Sequence, residues 1–253
     1  MNPLYLGTNE RRIFGIYEPA GPQANRARAA VLCNPWGSEY VYAHRSLRQL
    51  AIKLAACGYH TLRFDFFGTG DSGGDMSEAD LAGWEADAVS AIEGIKDIAG
   101  TARVAVIGLR LGANIAAAVA ARFADQIDAL VMWDPIVSGE DYLHALLAAS
   151  RPMSVAGDPD AVEVDGFVLT GTMMRDLKTI ELRDVIAAPP SRTLALITER
   201  LASHDGLYVV VTPPGSKRLS IEFLPAPCPW VGSVTTSGAV PVRAIQRITE
   251  WLE

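Results

Sequence analysis

Few residues in this chain can do chemistry on a bound molecule: only three cysteines and four histidines occur in 253 residues. Cys33, Cys57 and Cys228 are odd in number and show no Cys-x-x-Cys spacing, so neither a disulfide framework nor a zinc site is indicated. No metal and no cofactor is expected. The 22 basic residues form no cluster and are outnumbered by 29 acidic ones, leaving a formal charge of -7 that argues against nucleic acid as a partner. No apolar run approaches the roughly 18–20 residues needed to span a bilayer. The start, Met1-Asn2-Pro3-Leu4-Tyr5, lacks the basic-then-apolar layout of a signal peptide. A soluble, cytoplasmic protein without a membrane partner is the expectation. What is present is ordinary: 49% apolar and 20% charged residues, enough chain for one large domain, here taken as 1–253.

Helix-period and strand-period segments alternate, which predicts an α/β protein with a mostly parallel sheet. Residues 12–17 read as an early antiparallel strand. Residues 29–33 read as a buried central strand ending in Asn34-Pro35-Trp36-Gly37. A helix follows, with Leu47, Leu50, Leu54 and Ala55 on one face, and stops at Gly58. Strand 60–65 leads into a glycine-rich turn at 67–74, and an amphipathic helix is predicted over 82–99. Further strands are predicted at 104–107, 128–133, 193–197 and 219–224, with a final helix at 242–252. Residues of about 139–190 break this rhythm. They hold a helical piece around Tyr142–Leu147, a polar turn at 157–160 and a second helical piece at 167–177. An insertion there would lie over the carboxyl ends of the strands, where open α/β sheets bind ligands. Tyr208-Val209-Val210-Val211 has no assigned place.

The most informative run is Gly108-Leu109-Arg110-Leu111-Gly112. It follows the β-branched stretch Val104-Ala105-Val106-Ile107 and opens into the small-residue helix that starts at Ala113. A strand, Gly-x-Nuc-x-Gly and a helix, in that order, make a nucleophile elbow: the glycines leave room for a strained turn that lifts the middle side chain above the sheet. Here the middle residue is Arg110. A guanidinium stays protonated and cannot attack a carbonyl, so acyl-enzyme chemistry cannot start at this position.

The motifs Asn34–Glu39, His44-Arg45, Asp65–Ser72, Gly108–Ala113 and Trp133–Gly139 together resemble the α/β-hydrolase superfamily. Within it they resemble the serine-aminopeptidase-like branch, and in particular the exosortase A system-associated hydrolase group. The resemblance covers residues 30–140 in the superfamily's order and implies an eight-stranded α/β-hydrolase fold with a lid at 139–190. It implies a triad of nucleophile, histidine and acid beside an oxyanion hole. Arg110 stands at the nucleophile position, and the loop before the final helix, where the histidine belongs, contains none. His60 begins a strand and reads as structural. His204 lies where an acid is expected, His144 lies in the insertion, and His44 begins the first large helix near the strand ends. Arg110, His44 and Asp134 are therefore the candidate catalytic residues, although without a partner histidine Asp134-Pro135 reads more economically as a turn.

The oxyanion hole is backbone and can survive without a serine. It would use the amide of Leu111 and the Trp36-Gly37-Ser38 loop. Trp36, Gly37, Ser38, Glu39, Leu111 and Trp230 are the candidate substrate-binding residues, and a small anionic molecule is the expected ligand. Arg110 either grips that anion or is neutralised internally, with Glu39 as the favoured partner. Ser72 and Cys33 read as structural, and Cys228 lies roughly where the missing histidine would sit. Two functions remain open. One is an enzyme acting on an acyl- or carbonyl-containing anionic metabolite without a covalent intermediate. The other is a catalytically inactive binding or partner subunit of a polysaccharide or secondary-metabolite pathway. The sequence leaves a homodimer open.

Overall fold

The structure is a computed structural model that describes residues 1–21, 28–150, 152–183, 192–199, 218–230 and 239–253. Strands β1 (Asn2–Gly7), β2 (Arg12–Glu18) and β3 (Arg28–Cys33) precede helix α1 (Ser38–Ala56). Then come β4 (Tyr59–Phe64), α2 (Leu81–Ala99), β5 (Val104–Leu109), α3 (Leu111–Arg122) and β6 (Ile127–Trp133). The excursion after β6 holds α4 (Gly139–Ala149), β7 (Met153–Val155), β8 (Asp158–Val164), β9 (Phe167–Leu169) and α5 (Gly171–Lys178). Strands β10 (Arg192–Ile197) and β11 (Leu219–Phe223) and helix α6 (Val242–Leu252) close the chain.

Eight strands form one sheet in the order β1-β2-β4-β3-β5-β6-β10-β11. The β1–β2 and β2–β4 pairs are antiparallel and the rest are parallel. Central strands of a parallel sheet are buried on both faces, and the alternation of side chains divides them between two cores. Val31, Cys33, Val106, Leu130 and Met132 pack toward α2 and α3. Leu32, Ile107, Leu109, Val131 and Trp133 pack toward α1 and α6. Helix α2 is bounded by Asp80, whose carboxylate caps the Gly83 amide, and by Gly100 at φ 62.

The structure departs from the sequence-based reading in two places. The first is β1, an edge strand that the alternation did not single out. The second is the excursion. Residues 157–160 are not a simple polar turn, because Asp158–Val164 is the middle strand of a three-stranded sheet β7-β8-β9. Residues 167–169 are a strand and not helix, and the helix starts only at Gly171. Asp165 and Gly166 both take positive φ, 51 and 85, which suits a tight hairpin between Val164 and Phe167. Pro159 is tolerated in β8 because the pairing with β7 shifts register there and β9 pairs only Val162–Val164. His204, Tyr208–Val211 and the 184–190 end of the expected insertion lie outside the described residues.

Candidate functional site

Arg110 sits between β5 and α3 at φ 54 and ψ -125. Only residues on sharp turns hold a side chain in this left-handed region. The flanking glycines explain how the turn closes. A Cβ on Gly108 would lie 2.2 Å from the Gly112 carbonyl oxygen, and one on Gly112 would lie 2.3 Å from the Asn34 carbonyl oxygen. Strand and helix backbones thus meet with no room for a methyl group. The Arg110 amide donates to the Trp133 carbonyl at 3.0 Å, tying the turn to the end of β6.

The side chain of Arg110 is buried and bonded on two sides. Its Nε donates to Glu39 Oε1 at 2.9 Å, and Nη1 donates to the Asp134 carbonyl at 3.1 Å. Glu39 comes from the first turn of α1, and its second oxygen accepts from the Tyr142 hydroxyl at 3.1 Å. The ring of Tyr142, from α4, lies 5.5 Å from the guanidinium carbon. Side-chain exposure is 8% for Arg110 and 9% for Glu39. Burial alone would depress the arginine's pKa. Glu39 foremost, then Tyr142 and Asp134, outweigh it and hold the guanidinium protonated above its ordinary value. Burial, then the neighbouring Glu39, pushes the Tyr142 phenol well above its usual range, so it stays a donor. The pair is not the two-pronged fork that carboxylate and guanidinium make when alone, because Tyr142 and the Asp134 carbonyl each claim one arm.

On the facing loop, Gly37 takes φ 64 and ψ -140 just before α1. Trp36 is buried against Phe167 of β9, ring centroids 6.1 Å apart, and Phe167 also comes within 3.9 Å of where a Gly37 Cβ would sit. The Ser38 hydroxyl donates to Asp165 at 3.4 Å. The β8–β9 hairpin therefore rests on the loop expected to supply one oxyanion-hole amide. Leu111, buried, opens α3, and a first-turn amide has no acceptor within its own helix.

Asp134 occupies the end of β6 at φ 43. Its carboxylate accepts from the Thr198 amide at 2.6 Å and from the Thr198 hydroxyl. That hydroxyl also meets Cys228 Sγ at 3.0 Å. Burial raises the Asp134 carboxyl, although the Thr198 donors and Arg110 pull it down. Burial, with Asp134 nearby, pushes the Cys228 thiol up to about 12, so it is not a poised nucleophile. Trp230 is buried edge-on against Trp133, centroids 5.0 Å apart, and packs into the α1–α6 core.

The structure thus gathers Arg110, Glu39 and Asp134 with Trp36, Gly37, Ser38 and Leu111 nearby. It does not bring His44 into this group: His44 faces a separate cavity with Arg48 and Arg63. His60 is taken by the Tyr17 hydroxyl at 2.6 Å. Ser72 bridges the Phe14 amide and the Asp65 carbonyl, at 2.7 and 2.6 Å, a structural role. Burial raises the Cys33 thiol to about 12. Tyr142 and Thr198 are the partners that sequence reasoning missed. Thr198 follows the last residue of β10, the position from which a strand end reaches a neighbouring loop. Among the described residues, no group of histidine, cysteine and carboxylate side chains could hold a metal ion. No described helix is long and apolar enough to cross a membrane.

A family model described as serine aminopeptidase, S33, matches residues 39–158, somewhat less than half of the chain. No curated protein matches the sequence. Solved structures match over nearly the whole length. Est1E of Butyrivibrio proteoclasticus, solved with ferulic acid bound, superposes with a TM-score of 0.70 at 17% identity, covering 98% of this chain and 97% of that one. A hypothetical protein of Pseudomonas aeruginosa gives 0.69 at 16% identity, covering 99% and 92%. An α/β serine hydrolase without a lid from Xanthomonas campestris gives 0.63 at 15%, covering 99% and 93%. With the strand order and the β5–α3 turn described above, these likenesses identify the architecture: the chain has the α/β-hydrolase fold.

Proposed function

We propose that this protein is a serine-aminopeptidase-like member of the α/β-hydrolase superfamily whose catalytic corner has become a closed ion-pair plug, and that it serves as a binding or partner subunit and not as a serine hydrolase. The observation that carries this reading is the state of Arg110. It occupies the elbow, its charge is neutralised by Glu39, and its Nε and Nη1 donors are already used. On this reading α4 and the β8–β9 hairpin act as a lid that Tyr142 and Phe167 seat on the plug. The missing histidine agrees with it, since an elbow without nucleophile or base has no covalent chemistry to perform.

The competing reading is an enzyme that uses Arg110 to hold an anionic acyl or carbonyl substrate. It requires Glu39 to give up a buried cation, which costs the desolvation that the pair offsets. Fluorophosphonate labelling and hydrolysis of p-nitrophenyl acetate, measured on the wild type and on Arg110→Ala, separate the two. The expected result is no stoichiometric labelling, no saturable turnover, and a lower melting temperature for Arg110→Ala. Labelling at any serine overturns the proposal. So does saturable turnover that Arg110→Ala abolishes while melting like the wild type.

A further inference from the structure

An arginine near the carboxyl end of a core strand is the least expected residue of β4. Arg63 follows Leu62 and precedes Phe64, both nearly inaccessible, and is itself 8% exposed. Its strand position turns it to the α1 side of the sheet. There it lines a cavity of about 300 Å³ with His44, Leu47 and Arg48 of α1 and Phe14 and Ile16 of β2. Asp65 and Asp71 also reach this cavity. A buried guanidinium normally meets a carboxylate. Here Glu18 and Asp65 attract it across space but spend their hydrogen bonds on other groups, and Asp71 makes no bond to it. Asp65 accepts from the Tyr40 hydroxyl at 2.8 Å, from the Asp71 amide at 3.0 Å and from Asn34 at 3.4 Å. Glu18 pairs with the Met1 amino group at 3.3 Å. Among the described residues Arg63 makes no hydrogen bond or ion pair, and its Nε is buried without a partner.

A nine-tenths-buried guanidinium that no carboxylate bonds, lining a cavity of ligand size beside apolar side chains, suits an exogenous anion. We propose that this cavity binds the carboxylate of a small apolar acid, with Arg63 gripping the carboxylate, Arg48 and His44 at the mouth, and Phe14, Ile16 and Leu47 against the apolar body. The presence of Asp65 and Asp71 favours a singly charged ligand over a phosphate dianion, which they would repel. Neither Glu39 nor Arg110 lines this cavity, so the proposal does not rest on what Arg110 does.

Hexanoate is the probe, with hexanol and inorganic phosphate as comparisons, titrated into the isotope-labelled full chain at low salt and followed by amide chemical shifts. Saturable shifts at Ile16, Leu47 and Arg63 with hexanoate, and weaker ones with hexanol and phosphate, are the expected result. Arg63→Met should weaken hexanoate by at least about 10-fold, the loss of one charged hydrogen bond, without lowering the melting temperature. Arg48→Gln, at an exposed position that folding does not depend on, should weaken it by a smaller factor. No saturable shift in the wild type overturns the proposal. Shifts elsewhere, equal binding by phosphate, or unchanged affinity in both variants overturn it as well.

Discussion

Arg110 is held at a backbone angle that a non-glycine residue rarely adopts, and the start of α3 beside it is unfavourable for a cation. Glu39 offsets both costs by placing a carboxylate at 2.9 Å from Nε. The pairing was legible before any coordinates. An elbow after the fifth strand and a loop after the third must share one edge of the sheet for an oxyanion hole to exist, so a guanidinium on one and a carboxylate on the other come within reach. The third member, Tyr142, was not legible, because its approach depends on how α4 folds back. Glu39→Ala should lower unfolding free energy by about 3–5 kcal/mol, the range for removing one partner of a buried pair. The Glu39→Ala/Arg110→Ala double variant should cost less than the two single changes added together. Urea denaturation of the four proteins measures this, and strict additivity would show that the two side chains are not coupled.

At the scale of elements, the strands and helices of the sheet announce themselves by periodicity, while those of the 139–183 excursion do not. β7 and β9 have three residues each, too few to show alternation. The turn Asp165-Gly166 and the cap Thr170, which accepts from the Met173 amide, mark where β9 and α5 begin. Those two local signals outrank the apolar spacing that extends a helix back to Phe167. The excursion is fastened to the sheet layer by apolar side chains such as Leu143, Leu169 and Leu177, buried in the core that α2 and α3 share, and by the hydrogen bond from Tyr142 to Glu39. Tyr142→Phe keeps the ring and removes only the donor to Oε2, leaving a buried carboxylate oxygen unpaired. The expected cost is about 1–3 kcal/mol. Amide exchange in α4 should quicken while that in β5 and β6 falls only with global stability. Unchanged protection in α4 would mean that apolar packing, of the ring and of Leu143, holds the helix without that hydrogen bond.

At the scale of the whole molecule, burial works on the carboxylates in one direction. Desolvation is the leading cause that raises Asp65, Glu85, Asp87 and Asp134, and among the described residues only exposed Asp75 is lowered, by its bonds to Ser77. A carboxyl group with a folded pKa above its unfolded one binds more protons when folded. It therefore withdraws stability as pH rises, starting near the ordinary carboxylate range of about 4 and ending above the raised folded values. The formal charge of -7 adds self-repulsion in the same sense. Melting temperature should be highest near the lower end of that interval and fall as pH rises through it. Asp134→Asn should shrink that fall, since the amide oxygen can still accept from Thr198 and carries no charge. A profile that rises with pH, or that Asp134→Asn leaves unaltered, would contradict this assignment.

What the amino-acid sequence determined by itself was the succession of β and α segments, the parallel sheet they imply, and the loss of a nucleophile at the elbow. These are local or one-dimensional facts: periodicity of apolar residues, glycines where backbones must touch, an arginine where an attacking oxygen would have to be. The tertiary structure decided which charges are satisfied. Arg110 and Arg63 are both buried arginines near strand ends; the elbow pointed the first toward Glu39, and no motif around the second says whether it finds a partner. One meets a carboxylate from α1 and a phenol from α4, and the other lines a cavity in which no carboxylate bonds to it. Partners of that kind come from chain segments tens of residues apart, and only the closing of the sheet sets their distances.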